Sequence, residues 1–342
     1  MPPNIWQLYV LMLKSRLFEE AIAQFWHAGF ISGEMHLGTG EEGIIAGVVA
    51  NLQEGDAMAL DHRGTAAFLM RGIDPVLILR ELLGYPGGLC GGMGGHMHLF
   101  SKEYLTASSG IVGAVGPMAA GFALSAQYLH PGACTIAFFG DGAMNQGMLM
   151  ESMNLASAWK LPVLFVCKDD GWAITTQSNN VTGGNLNERA YGLGIPAVEV
   201  DGCDVSKVWD AAHSAIERAR SGQGPTFLHA RCVHFEGHFL GFQLIRMVRG
   251  PLREMPDIAI PLTRSFLHPG GAVLRERLAG LKFVLATVLT TLRDPRRDLA
   301  NDPVRRTRIT LQSDPVRLQE LENQVEQEIS YVLSTALAEV SS

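Results

Sequence analysis

The feature that most limits the folds open to this chain lies between residues 133 and 232, where short apolar runs alternate with helix-length segments. "ACTIAFF" (133–139) and "LPVLFVC" (161–167) show almost no polar alternation, so both faces of each strand must be covered. "IPAVEV" (195–200) and "PTFLHARC" (225–232) continue the series. Between them, "QGMLMESMNLASAW" (146–159) and "DVSKVWDAAHSAIERARS" (204–221) have the length and apolar spacing of helices. This order predicts an α/β fold, a mostly parallel sheet with helices on both faces. Ligands of such sheets gather beyond the carboxyl ends of strands, which points to 139–146, 167–176 and 231–240.

The flanking segments are helical in pattern. Residues 4–28 carry apolar side chains at helical spacing with Gly29 as a stop, 41–52 is apolar on all sides, and 117–130 is rich in small residues. "GYPGGLCGGMGG" (84–95) reads as a loop lying against a ligand or a neighbouring backbone. Beyond residue 238 the character changes. Residues 239–310 hold 13 Lys or Arg against 6 Asp or Glu, and two long helices are expected, within 270–294 and 314–340. The chain is therefore divided into an α/β domain, 1–238, and a variable loop with a helical C-terminal extension, 239–342. The basic stretch suits either docking of an acidic carrier domain or a solvated arginine-bearing surface.

A net charge of −7 gives no reason to expect nucleic acid as partner. Five scattered cysteines without ligand pairing suggest reduced thiols, and "MPPNIWQLYV" lacks a signal pattern. "FVLATVL" (283–289) is too short to span a bilayer. A soluble, cytoplasmic protein without a membrane partner is expected.

Two acidic turns carry the chemistry. In "GDGAMNQG" (140–147), Gly140 and Gly142 flank Asp141 at a strand end, and a helix follows whose N-terminus favours phosphate. In "CKDDGW" (167–172), Asp169 and Asp170 end the next strand, Asp170 lying 29 residues after Asp141. A chain reversal alone would use the same residue types. Joined by one βαβ unit, however, Asp141 and Asp170 bring two carboxylates to one hard cation, magnesium bridging diphosphate oxygens.

"GDGAMNQGMLMESMNLASAWKLPVLFV" resembles the thiamine-diphosphate motif in alpha subunits of 2-oxo acid and acetoin dehydrogenases. "MHLGTGEEG" (35–43), "DHRG" (61–64), "GGHMHLF" (94–100), "SGIVGA" (109–114), "VDGCD" (200–204) and "RARSGQGPT" (218–226) extend the resemblance over residues 5 to about 238. It implies the thiamine-diphosphate-binding fold and a subunit of a thiamine-dependent enzyme, completed by a beta subunit in a heterotetramer. By position, it implies that Asp141, Asp170 and the backbone carbonyl of Trp172 bind magnesium. His62 and Arg63 would hold the diphosphate, Gly110 and Val112 would touch the cofactor, and Gly142 and Ala143 would cradle its phosphates. His238 would face the diphosphate and the reacting end of the cofactor, and His36 the substrate; both are the implied catalytic residues. The implied reaction takes a two-carbon unit from pyruvate or another 2-oxo acid, or from acetoin, to a lipoyl-bearing acyltransferase or other acceptor.

The residue types suit these tasks without the resemblance. Arg63 offers forked hydrogen bonds to an anion, and a histidine beside a diphosphate is expected to stay protonated near neutral pH. His98, Glu151 and Asn154 are read as structural. Three departures stand out. The family usually has two asparagines at 169 and 170 and an arginine where His234 stands, and "GHFLGF" (237–242) replaces an acidic loop and runs into an insertion. They leave open a non-catalytic or regulatory relative that keeps the fold and the subunit interface. A magnesium-dependent phosphoryl-transfer enzyme is a third reading, without a Walker-type lysine loop to support it.

Overall fold

The computed structural model describes residues 4–241, 260–292 (apart from 262, 265, 269, 271 and 272) and 299–338. Helix α1, Ile5–His27, starts where the Asn4 side chain accepts from backbone N–H groups and Gln7 reciprocates, a capping box. Helix α2, Glu42–Val49, has every residue buried, as its uniformly apolar pattern requires. Strand β1 (Ala57–Leu60), helices α3 (Thr65–Met70) and α4 (Pro75–Leu82), and strands β2 (Phe100–Ser101) and β3 (Thr106–Ser108) follow. Helix α5 is Val115–Leu129, β4 Thr135–Gly140, α6 Gly147–Ala158 and β5 Val163–Asp169. A small hairpin pairs β6 (Trp172–Ala173) with β7 (Thr176–Gln177). After α7 (Leu186–Gly192) come β8 (Ala197–Asp201), α8 (Val205–Arg220) and β9 (Thr226–Arg231). The C-terminal helices are α9 (Leu274–Leu292), α10 (Pro303–Leu311) and α11 (Pro315–Ala338).

The main sheet runs β2-β3-β1-β4-β5-β9-β8. Every pairing is parallel except the edge pair β2–β3. The expected mostly parallel α/β sheet is thus present, with three strands (β1, β2, β3) that the apolar pattern did not announce. "AMAL", "FS" and "TAS" are too short for a periodic signal to build up.

Alternate residues of the central strands feed two cores. Ile136, Phe138, Leu164 and Val166 join one core with α1, α2, α8, α10 and α11. Ala137, Phe139, Val163 and Phe165 join the other with α5, α6 and α7. Helix α11 buries Leu318, Val325, Ile329 and Val332 in the first core, so it packs against the α/β body. Arg16 fastens this face by pairing with Glu42 at 2.6 Å and with Asp302, the N-cap of α10, at 3.0 Å.

From β1 the chain steps outward to β3 and then crosses back to lay β4 on the other side of β1. A crevice opens at this reversal, beyond the carboxyl ends of β1 and β4. Residues 242–259, which hold most of the insertion after "GHFLGF" and much of the basic stretch, lie outside the described residues. Among the described residues, no helix is long and apolar enough to cross a membrane.

Candidate active site

The crevice is a cleft of about 510 Å³. Each of its walls is a loop leaving a strand or helix terminus. Residues 34–41 follow α1, 61–63 follow β1, 109–113 follow β3, 140–143 follow β4, 170–174 follow β5, and 234–239 follow β9. Every expected site residue lines it: His36, His62, Arg63, Gly110, Val112, Asp141, Gly142, Ala143, Asp170, Trp172 and His238.

Asp141 is buried at the end of β4, and its carboxylate accepts a hydrogen bond from the Ser178 hydroxyl. Burial and the neighbouring Asp170 and Asp169 push its pKa up to about 8. Asp141 is thus both buried and faced by two further carboxylates, a setting in which a cation relieves the repulsion. This site fits a divalent ion. Helix α6 begins only at Gly147, and a single 3-10 turn, Asp141–Asn145, follows the GDG sequence directly. Gly142 packs so closely that a Cβ there would meet the Cβ of Ala173 at 3.1 Å, leaving a narrow backbone-lined seat.

The two adjacent aspartates part company. Asp169 accepts from the Gly171 N–H at 2.8 Å and pairs with Nε2 of His229 at 2.8 Å. Asp170 accepts from the Trp172 N–H at 3.2 Å and places its other oxygen 2.8 Å from Nδ1 of His234. Two departures from the family pattern, 64 residues apart in sequence, are therefore partners in space. Burial opposes the charge of Asp170, yet the contact with His234 outweighs it and holds the carboxyl below its ordinary value. Burial and Arg63 oppose the charge of His234, and Asp170 and Glu41 more than offset them, so its pKa is raised.

His234 also meets Glu41 at 2.7 Å, Glu41 meets Lys168 at 2.7 Å, and Lys168 reaches Asp61 at 3.1 Å. The result is a chain of alternating charge, Asp170–His234–Glu41–Lys168–Asp61, along the wall of the cleft. Burial opposes both charges, yet Lys168 and His234 hold Glu41 low, and Asp61 with Glu41 holds Lys168 high. Sequence reasoning missed Glu41, Lys168 and Asp61. The available signal was a lysine at the end of the apolar run "LPVLFVC", a place where an unpaired cation is not tolerated.

Arg63 is 3% exposed and its fork is already occupied. Nη1 donates to the Leu37 carbonyl at 2.5 Å and Nη2 to the His238 carbonyl at 2.5 Å. It therefore cross-links the loops that carry His36 and His238, a role not foreseen from its charge. His36 lies edge-on to His62 (ring centroids 4.6 Å apart) and to His238 (4.9 Å), and its Nδ1 is 3.0 Å from Nε2 of His96. Burial, with Arg63 as the next cause for His238 and His62 for His36, lowers their pKa values to about 3 and about 2. The protein's own field thus holds these rings neutral. The expectation of a protonated histidine counted a diphosphate charge that only a ligand brings. His62 Nε2 is enclosed and makes no hydrogen bond within the protein, which suits a polar ligand in the cleft. Val112 stays half exposed on the rim, and Gly110 lies beneath Met97, whose sulfur a Cβ would meet at 3.0 Å.

Comparison with known proteins bears on the same region. Residues 9–241 match the family described as "Dehydrogenase E1 component". The chain is 42% identical over 278 residues to the alpha subunit of acetoin:2,6-dichlorophenolindophenol oxidoreductase of Cupriavidus necator, covering 79% of this chain and 83% of that one. It is 38% identical over 259 residues to the pyruvate dehydrogenase E1 component subunit alpha of Zymomonas mobilis, covering 75% and 73%. The acetoin:2,6-dichlorophenolindophenol oxidoreductase alpha subunit of Bacillus subtilis is 38% identical over 236 residues, covering 68% and 71%. The matched span begins in α1 and ends just past His238, so it encloses every loop of the cleft, and the chain belongs to the dehydrogenase E1 component family.

Proposed function

We propose that this chain is the alpha subunit of a thiamine-diphosphate-dependent dehydrogenase. In this reading it takes a two-carbon unit from acetoin or pyruvate and passes it to a lipoyl group or another acceptor, and it acts only with a beta subunit. The observation that carries the reading is the convergence of Asp141, Asp170, the His62–Arg63 loop, His36 and His238 on one cleft. Residues 1–238 would form the diphosphate and magnesium half of the site, and 239–342 the variable loop and helical extension.

Asp141, Asp170 and the Trp172 carbonyl would hold magnesium, and Gly142 and Ala143 would seat the phosphates. His62 would donate from the nitrogen that makes no hydrogen bond within the protein. Gly110 and Val112 would bound the cofactor on the β3 side. Thiamine diphosphate would supply the electron sink for cleaving the bond beside a carbonyl. His238 has its Nδ1 3.4 Å from Arg63, so Nε2 is left to move a proton at the cleft. His36, neutral and oriented by His96, would accept a hydrogen bond from a substrate hydroxyl. Names of both acetoin and pyruvate enzymes occur among the relatives, and the higher identity to an acetoin oxidoreductase subunit supports acetoin first.

Calorimetry of thiamine diphosphate with magnesium, on the chain assembled with its beta subunit, tests the reading. Saturable binding lost in Asp141→Ala, with turnover of acetoin or pyruvate, is the expected result. A folded, assembled complex that binds no cofactor would return the chain to the non-catalytic reading.

A further inference from the structure

We propose that His36, His62 and His238 form a second metal site, for a d-block ion of the zinc class, separate from the carboxylate site. One nitrogen from each ring lies within 4.8 Å of the other two. Three imidazoles on a tetrahedral ion with Zn–N distances of about 2.0–2.1 Å place their ring centroids about 5 Å apart. The observed centroid separations are 4.6 Å (His36–His62), 4.9 Å (His36–His238) and 5.4 Å (His62–His238). The interplanar angles, 80°, 86° and 45°, show that the rings are not stacked on one another. Small side-chain rotations close the remaining distance between nitrogens.

The three residues leave three different elements, α1, β1 and β9, so the cluster is a product of the fold and not of helical spacing. Their surroundings are those of ligands. Nε2 of His96 faces both the backbone N–H of His36 (3.3 Å) and its Nδ1 (3.0 Å). As acceptor for both, it places the His36 proton on Nδ1 and leaves the Nε2 lone pair for a metal, the outer-shell arrangement that orients metal-bound histidines. His62 Nε2 is enclosed and makes no hydrogen bond within the protein. A metal meets rings that hold no second proton, against the same burial and Arg63 charge that lower their pKa values, and on His238 it takes the tautomer with the proton on Nδ1.

Imidazole prefers zinc, copper, nickel and cobalt, whereas the carboxylates of Asp141 and Asp170 suit magnesium, so the two sites select different ions. Arg63, 3.4 Å from Nδ1 of His238, places a positive charge beside the ion and limits its affinity, which makes occupancy reversible. Resting on the functional reading above, a metal here excludes the cofactor, because His62 and His238 serve both. The site is then an inhibitory one, through which free transition metal blocks cofactor entry.

The test is cobalt(II) titration of the assembled complex prepared without thiamine diphosphate, read as visible ligand-field absorption, followed by zinc displacement. One cobalt per alpha chain with tetrahedral-type intensity, displaced by zinc and weakened about tenfold or more in His62→Gln and in His36→Gln, is expected. Asp141→Asn should leave the spectrum in place. No such absorption in the wild-type complex, or a spectrum unmoved by both histidine substitutions, overturns the site. Thiamine diphosphate with magnesium should abolish cobalt binding. Cobalt binding that survives saturating cofactor refutes the inhibitory role, and cofactor binding without any cobalt site refutes the metal while leaving the functional reading intact.

Discussion

Arg63→Lys separates two tasks that a buried arginine can perform. If Arg63 serves only as a positive charge for a diphosphate, lysine replaces it, since a point charge on a flexible stem also binds phosphate. The structure instead has both arms of the fork donating at 2.5 Å, one to Leu37 and one to His238. A single ammonium cannot hold both carbonyls in that geometry, so one charged hydrogen bond is lost. Such a bond contributes about 1.5–3 kcal/mol, which is roughly a 10- to 150-fold change in an equilibrium constant. The loss falls on the arrangement of the loops carrying His36 and His238, so it should appear in cofactor affinity as well as in the urea midpoint. Calorimetric titration of thiamine diphosphate into wild type, Arg63→Lys and Arg63→Met, each assembled with the beta subunit, measures it. The expected order is wild type, then Arg63→Lys, then Arg63→Met. Arg63→Lys binding within about twofold of wild type would refute the cross-link and restore the charge-only role.

Glu19 is buried and accepts hydrogen bonds from the Gly38 N–H and the Thr39 hydroxyl, with its pKa pushed up to about 8 chiefly by burial. The folded state therefore keeps a proton that the unfolded chain releases near pH 4.5, so this stabilisation is full at low pH and lost as the pH rises to 8. Urea midpoints should fall between pH 6 and 8 with a slope of up to about 1.4 kcal/mol per pH unit, and Glu19→Gln should flatten that slope. Lys168→Met removes the cation shared by Glu41 and Asp61, leaving Glu41 only its contact with His234, and should cost about 3–5 kcal/mol in chemical denaturation; an unchanged midpoint would mean that water already screens the pair. Gly40, at φ +105°, has the Val233 carbonyl oxygen 1.7 Å from where a Cβ would sit. Gly40→Ala should lose about 3 kcal/mol and free the loop that holds Glu41, seen as faster amide exchange there.

The sheet was legible where strands were long and covered on both faces, because "ACTIAFF" and "LPVLFV" admit little else. The acidic turns were legible for a related reason: a strand that must be apolar throughout makes any carboxylate at its end conspicuous. What the sequence concealed is partnership across distance. Asp170 and His234 each read as an isolated oddity, and only the parallel register of β5 on β9, with Asp169 opposite Arg231, brings the following loops together. Lys168 was hidden by a habit of hydropathy, which treats a charged residue as the end of burial when here burial continues past it. The Arg63 fork was concealed because its acceptors are backbone carbonyls, which leave no trace in residue identity.

The alternating chain from Asp170 to Asp61 has a meaning for how this sequence can change. Five side chains from four separate segments share one charge balance, so exchanging any one of them alone strands its neighbours, whereas a matched pair can be exchanged together. Asp170 with His234 is such a matched pair. A lineage or an engineer moving either residue towards the more usual family type has to move the other in the same step, and a library built from single substitutions will score both positions as immutable when they are only inseparable.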